Sequence, residues 1–515
     1  MMRITTTAKR CASVHPRAAY SAAILGALCL AMQWACTAAH AATFDAHSGL
    51  NGNWSTPTNW VGNVVPVSGS PNLEVRLAST GTPASTSIQD LGTPFELQML
   101  SINDNDAFTN HTVNGAPLAF SNLGAAPSIR PAGFFSPNLT VNSDMILNAD
   151  VTVTPNVAGT TIPQYSLNGA ISGVGSLRQT GGGDVRLGGM SANSYAGVTI
   201  MDNGVLTLNK PASVVAVPGD LMINTGGSTR DRRGTVIVAN DNQIAVGAKV
   251  TINRGQLLIE GGDQTLANIE FIGANSAVHP DGGRVVINPS RTLTITGGIT
   301  RASSSPGPIF PQNLSLISGG MLDLAGGLRP FHVDNDNPTG LTTTLIIDSV
   351  IENGGITKTG PGVLILSGDN TYAGNTTIAD GRLELTSPGE LLFDLENAGI
   401  SNRLGGTATA ILDGKFVIDP ATVTDVESSW NLVDAAALNE SFGSSFGLRF
   451  VNGTTFSNNG GGVYRSGRWK FTTADGNLSL SAVPEPSTFI LVASSVSALS
   501  LLRRRRRRWR CAGGV

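Results

Sequence analysis

Three observations predict an all-β chain built as a stack of short repeats. Gly supplies 62 of the 515 residues and Pro another 26, which makes turns frequent and the elements between them short. Charged residues are 13% and aromatic residues 5% of the chain. An ordinary domain carries roughly 25% charge, so helical bundles, coiled coils and charge-rich disorder are excluded. The third observation is a recurring Gly with apolar residues two and four positions after it. Examples are Gly204-Val205-Leu206-Thr207-Leu208, Gly234-Thr235-Val236-Ile237-Val238, Gly255-Gln256-Leu257-Leu258-Ile259, Gly283-Arg284-Val285-Val286-Ile287, Gly320-Met321-Leu322-Asp323-Leu324, Gly362-Val363-Leu364-Ile365-Leu366 and Gly381-Arg382-Leu383-Glu384-Leu385. Such alternation marks half-buried strands, and its spacing of roughly 20 to 40 residues is that of stacked repeats. Each Gly is expected to turn a corner through positive φ.

Two longer units, Gly175 to Leu208 and Gly354 to Leu385, align residue by residue. Thr180-Gly181, Tyr195-Ala196-Gly197 and Gly204 in the first correspond to Thr359-Gly360, Tyr372-Ala373-Gly374 and Gly381 in the second. The second unit closely resembles the autotransporter-associated β-strand repeat. The first departs from that pattern, with Gln179 in place of Lys358, Gly182 in place of Pro361, and two residues inserted around Ser191-Ala192. The resemblance implies a right-handed parallel β-helix, a solenoid whose coils bury their apolar faces only by stacking. At about 23 residues per coil, residues 150–451 would form roughly 13 coils and a rod about 60 Å long.

Such a rod needs a cap at each end, because an uncovered end strand offers its backbone to other chains. Residues 42–150 are expected to form an N-terminal β-rich capping region, 151–399 the repeat region and 400–482 a C-terminal β-rich module. Trp54 and Trp60, in Asn53-Trp54-Ser55-Thr56-Pro57-Thr58-Asn59-Trp60, are expected to plug the core; the alternative is an aromatic platform for sugar rings. At the other side Trp430, Phe442, Phe446, Phe450, Phe456, Trp469 and Phe471 make the closing module richer in aromatics than the rod.

The ends read as addresses. Residues 1–41 combine a basic stretch up to Arg17, an apolar run from Ala18 to about Met32, and Ala39-His40-Ala41. This is the pattern of a secretory signal peptide, with Ala39 and Ala41 as the small residues that signal peptidase recognises. Residues 483–510 hold Pro484-Glu485-Pro486, an apolar stretch from Phe489 to Leu502, and Arg503, Arg504, Arg505, Arg506, Arg507 and Arg508. The order is extended segment, single transmembrane helix, cytoplasmic positive anchor. It resembles the PEP-CTERM sorting signal of exported Gram-negative proteins whose hosts make extracellular polysaccharide. That resemblance implies recognition of Pro484, Glu485 and Pro486 by the membrane protease exosortase, passage through the inner membrane, and delivery to the cell surface or matrix. No series of about ten alternating membrane strands follows the repeats, so export is expected to depend on other proteins.

Between Thr43 and Val483 there are 22 basic and 35 acidic residues, which disfavours nucleic acid as a partner. All four cysteines, Cys11, Cys29, Cys36 and Cys511, lie outside that body. A disulfide framework or Cys-ligated metal is therefore excluded there. His47, His111, His279 and His332 stand apart in sequence, and no phosphate loop is present. Asn103-Asp104-Asn105-Asp106 and Asp334-Asn335-Asp336-Asn337 are oxygen-rich enough to raise Ca²⁺, yet fit turn formation better. No catalytic, cofactor or metal site is expected. The reading is a non-enzymatic surface or matrix protein, structural or adhesive, with extracellular polysaccharide as a candidate partner. The alternatives are a secreted polysaccharide-active enzyme on the same fold and a permanently anchored protein facing the periplasm.

Overall fold

Parallel strand pairing, repeated coil upon coil, organises the computed structural model, which describes residues 43–46, 51–79, 84–104, 110–133, 137–157, 162–224, 233–272, 282–302, 314–335 and 343–482. Two sheets of 17 and 16 strands run its length, and every pairing within them is parallel. A third face is built in pieces. Phe95–Leu97, Leu118–Phe120, Met145–Leu147 and Ile171–Gly173 form one four-stranded sheet; Asp369–Asn370, Glu390–Asp394, Lys415–Asp419 and Gly447–Phe450 form another. Between them, the long strands Met321–Val333 and Val350–Thr359 turn from this face into the 17-stranded sheet. The chain is thus a parallel β-solenoid, about 70 Å long for its 16 stacked strands.

Coil length varies far more than strand length. Register advances 19 residues from Thr344 to Val363 but 32 from Val285 to Ile317, while the paired segments remain four or five residues long. Extra residues therefore leave at the corners, and the stacked faces keep their spacing. Inside runs one continuous apolar core from Ala46 to Leu480.

The rod is longer than residues 150–451. Its ladders begin at Thr43–Asp45 and Gly52–Asn53, so much of the expected capping region is coil. The strand Ser85–Gln89 hid this, because its inward positions are Ser85, Ser87 and Gln89, each at most 5% exposed. Ser85 Oγ lies 2.8 Å from Nδ1 of buried His111 in the next coil, and the Gln89 amide donates to the carbonyls of Gly92, Ala116 and Pro117. Polar groups that satisfy one another can occupy core positions, and they erase the apolar alternation a reader looks for.

Both ends are closed by aromatic rings. Trp54 and Trp60 are fully buried and meet edge to face at 5.9 Å, with Phe95 at 5.4 Å from Trp54. Trp60 Nε1 donates to the Trp54 carbonyl at 2.7 Å. They plug the core, and their burial overturns the sugar-platform alternative. At the other end Ser428–Asn431, Ser457–Asn458, Val463–Ser466, Trp469–Thr472 and Asn477–Leu480 make a five-stranded antiparallel sheet. It is interleaved with the last coils, since Asn439–Phe442 and Gly447–Phe450 still pair in parallel. Phe416, Phe446, Tyr464 and Phe471 pack together beneath it.

Among the described residues the only helices are the three-residue turns Pro57–Asn59 and Asn397–Gly399. None there is long and apolar enough to cross a membrane. The expected signal peptide and the expected tail segment with its Arg cluster lie outside those residues.

Candidate functional site

The two aligned repeats show what their shared residues do. Tyr195 and Tyr372 are buried at equivalent corners, and each hydroxyl meets a Thr four residues on: Thr199 at 2.6 Å and Thr376 at 2.7 Å. Burial pushes both phenols above their ordinary range, and the Thr bond opposes that shift only in part. Two residues later the chain passes so close to the coil before it that a Cβ on Gly197 or Gly374 would sit 2.4 Å from a backbone atom. Gly204 and Gly381 do adopt positive φ, +82° and +70°. Gly234, Gly255, Gly283 and Gly362 do not, contrary to the expectation that every such Gly turns in the left-handed region. There the constraint is space: an added Cβ would lie 2.4 to 2.7 Å from the preceding coil at Gly255, Gly283 and Gly362, and 2.1 Å from the Asn224 carbonyl at Gly234.

The difference between the repeats at Gln179 and Lys358 is also physical. Both have apolar neighbours in their inward rows, Gln179 between Val153 and Met201, Lys358 between Phe331 and Ile378. Lys358 Nζ donates to the carbonyls of Thr359, Gly360 and Asp380 at 2.9, 2.6 and 3.1 Å. Gln179 Nε2 reaches Gly183 and Val205 at 2.9 and 3.2 Å. Burial lowers the Lys358 ammonium to about 8, with the Asp380 charge opposing. Lys210, bonded to the Gly188 carbonyl at 2.6 Å, is lowered to about 8 in the same way.

Many turn carboxylates act between coils. Asp144, Asp150, Asp220, Asp263 and Asp413 accept the backbone N–H of Ala170, Ser176, Lys249, Thr292 and Ser445 at 2.7 to 2.9 Å. Asn142 and Asn168 extend an amide ladder from Asn114, each step 2.8 Å. These side chains tie one turn to the next. Among the described residues no three His, Cys, Asp or Glu are grouped to hold a metal. Of the two Asn/Asp clusters, Asn105, Asp106, Asp336 and Asn337 lie outside those residues. Asp334 approaches His332 Nε2 at 3.3 Å, and Asn335 accepts the Thr343 N–H at the same distance. Asp394, next to Asp419 in register, is held above the usual carboxylate range by burial and then by the charges of Asp419 and Glu396.

The feature suited to recognition is a row of hydroxyls. Along the outer face of the 16-stranded sheet Thr86, Thr112, Thr140, Ser166, Arg186 and Thr207 stand directly above one another in successive strands. Thr86 and Arg186 are exposed and the others half-buried. Five hydroxyls and one guanidinium therefore recur at about 4.8 Å along a rigid axis. The alignment of these residues follows from the strand register and from no single stretch of sequence. The residues expected to be processed or to orient the tail, Ala39, Ala41, Pro484, Glu485, Pro486 and Arg503 to Arg508, lie outside the described residues.

Comparison with known proteins places both aligned units, at residues 177–208 and 356–385, in matches to the family model described as Passenger-associated-transport-repeat. The Adhesin BmaC autotransporter of Brucella suis biovar 1 (strain 1330) is 27% identical over 306 residues. That alignment takes in 52% of this chain and 8% of the relative's length. No solved structure matches.

Proposed function

We propose that the protein is a non-enzymatic adhesive stalk of the Gram-negative cell surface or matrix, wound as a right-handed solenoid, that holds extracellular polysaccharide along its hydroxyl row. The observation that carries this reading is the in-register row from Thr86 to Thr207 on a rod closed at both ends. A single hydroxyl bond contributes about 0.5–1.5 kcal/mol, too little to hold a ligand alone. Repeated at a spacing comparable with one sugar ring, such contacts act together on one polymer chain. The similarity to an adhesin supports the same role. Retention of the purified protein on the host's polysaccharide is expected to fall at least about tenfold in the double variant Thr112→Val, Thr140→Val, the equivalent of about 1.4 kcal/mol. Undiminished retention would remove the row from the mechanism, and no retention by the parent protein would remove adhesion to polysaccharide.

The sorting route belongs to the same proposal. Signal peptidase would cut after Ala41, the Arg503 to Arg508 cluster would hold the tail in the inner membrane, and exosortase would act at Pro484-Glu485-Pro486. Mass spectrometry of the C-terminal peptide from the native envelope is expected to end near those residues. Persistence of Arg503 to Val515 would instead make the tail a permanent anchor and the protein a periplasm-facing one.

A further inference from the structure

Parallel strands that are apolar on both faces ordinarily lie between two layers. The hydroxyl row changes character beyond Thr207: its next members are Ile237, Leu258 and Val286. In the adjacent outward row Arg284 is followed strand by strand by Leu316, Ile346, Ile365, Glu384 and Ile411. All of these side chains are half-buried on the outside of the sheet, while their neighbours Val285, Ile317, Ile347 and Leu364 fill the core. The strands concerned, Thr235–Val238, Gln256–Ile259, Arg284–Ile287, Thr344–Ile347 and Val363–Leu366, read as nearly unbroken aliphatic runs.

The order of charges along the row selects the occupant. Counting outward from Ile346, one strand away on either side stands an aliphatic residue, Leu316 or Ile365. Two strands away stands a basic residue on one side, Arg284, and an acidic residue on the other, Glu384. A row of this kind is complementary to its own reverse. We infer that this face docks on the same face of a second copy of the chain, with the two rods antiparallel and Ile346 at the two-fold axis. In that arrangement Arg284 of each copy faces Glu384 of the other, and the aliphatic residues between them meet across the axis. Parallel rods would set Arg284 against Arg284 and Glu384 against Glu384, which is repulsive. Glu384 also holds Arg382 of its own chain at 2.7 Å, so the contact adds a cation to an existing pair.

The patch spans eight strands, from Thr235–Val238 to Thr409–Leu412, about 34 Å by about 13 Å. Roughly 400–500 Å² per copy is below the 800 Å² or so of a standard interface, so the dimer is expected to be weak and reversible. The inference is independent of whether the hydroxyl row binds polysaccharide.

Cysteine pairing tests it, because the described body has no thiol. In the full chain with Cys11, Cys29, Cys36 and Cys511 changed to Ser, Ile346→Cys is expected to cross-link to itself under mild oxidation. Arg284→Cys and Glu384→Cys are expected to cross-link when mixed and not when alone. Sedimentation equilibrium of the native chain is expected to show mass doubling with concentration, Ile346→Asp to weaken association at least about tenfold, and Arg284→Glu to weaken it as well. The double reversal Arg284→Glu, Glu384→Arg should restore it, with far-UV circular dichroism unchanged throughout. Monomeric mass up to about 0.1 mM, self-cross-linking of Arg284→Cys, or failure of the double reversal to restore association would overturn the inference.

Discussion

Changing Lys358 to Met is expected to lower stability around the second repeat by about 3 kcal/mol, whereas Lys358→Gln should cost under about 1 kcal/mol. The ammonium has apolar neighbours in its row and serves three carbonyls, those of Thr359, Gly360 and Asp380. A thioether leaves all three without that donor inside the core, at about 1 kcal/mol each. An amide at this corner is already present in the first repeat, where Gln179 bonds two carbonyls. The same residue fixes a pH response. Burial holds the folded-state value at about 8 against an ordinary 10.5, so below about pH 8 both states carry the proton and the burial penalty is fully present. Between about 8 and 10.5 the unfolded chain binds more protons, and stability rises with pH by about 1–3 kcal/mol. Lys210 contributes in the same direction. Lys358→Gln should therefore reduce the rise without abolishing it. Hydrogen exchange of amides between Val350 and Leu385 reads both effects, and a Met variant as protected as the parent would show that the three bonds add nothing net.

Truncating Trp54 to Ala is expected to cost about 3–5 kcal/mol and to open the first coils while leaving the far end intact. Trp54 is fully buried, holds Phe95 edge to face at 5.4 Å, and presents its carbonyl to Trp60 Nε1. Stacked coils touch only their neighbours, so the damage should decay along the axis. Exchange protection is predicted to fall in Ser85–Gln89 and Phe95–Leu97 and to persist in Thr409–Leu412. Uniform loss along the whole rod would mean that the coils unfold as one unit.

Much of the fold was legible wherever apolar alternation survives. The strands around Val236, Leu257, Val285, Leu364 and Leu383 were found from a Gly followed by apolar residues two and four positions on, and each lies in the 16-stranded sheet. The N-terminal coils were misassigned because Ser85, Ser87, Gln89 and His111 occupy inward positions, where Ser85 meets His111 and Ser87 and Gln89 donate to backbone carbonyls. The outer apolar face was also written in the sequence: Val363-Leu364-Ile365-Leu366 has no polar alternate, a sign of a strand covered on both sides. What no single stretch discloses is which residues share a row. Thr112 and Thr140 are 28 positions apart and Arg284 and Glu384 a hundred, and only the register of intervening coils sets them in line.

The variable corners have a mechanical meaning. A coil of 19 to 32 residues adds only one strand spacing to the rod, about 4.8 Å. Pulled out straight, it would yield roughly 65–110 Å of chain. Because each coil is tied chiefly to the one before it, tension through the two ends would peel the rod from an end, one turn at a time. A molecule so wound stores many times its own length, and under load it would lengthen in discrete steps while the remaining coils kept their order.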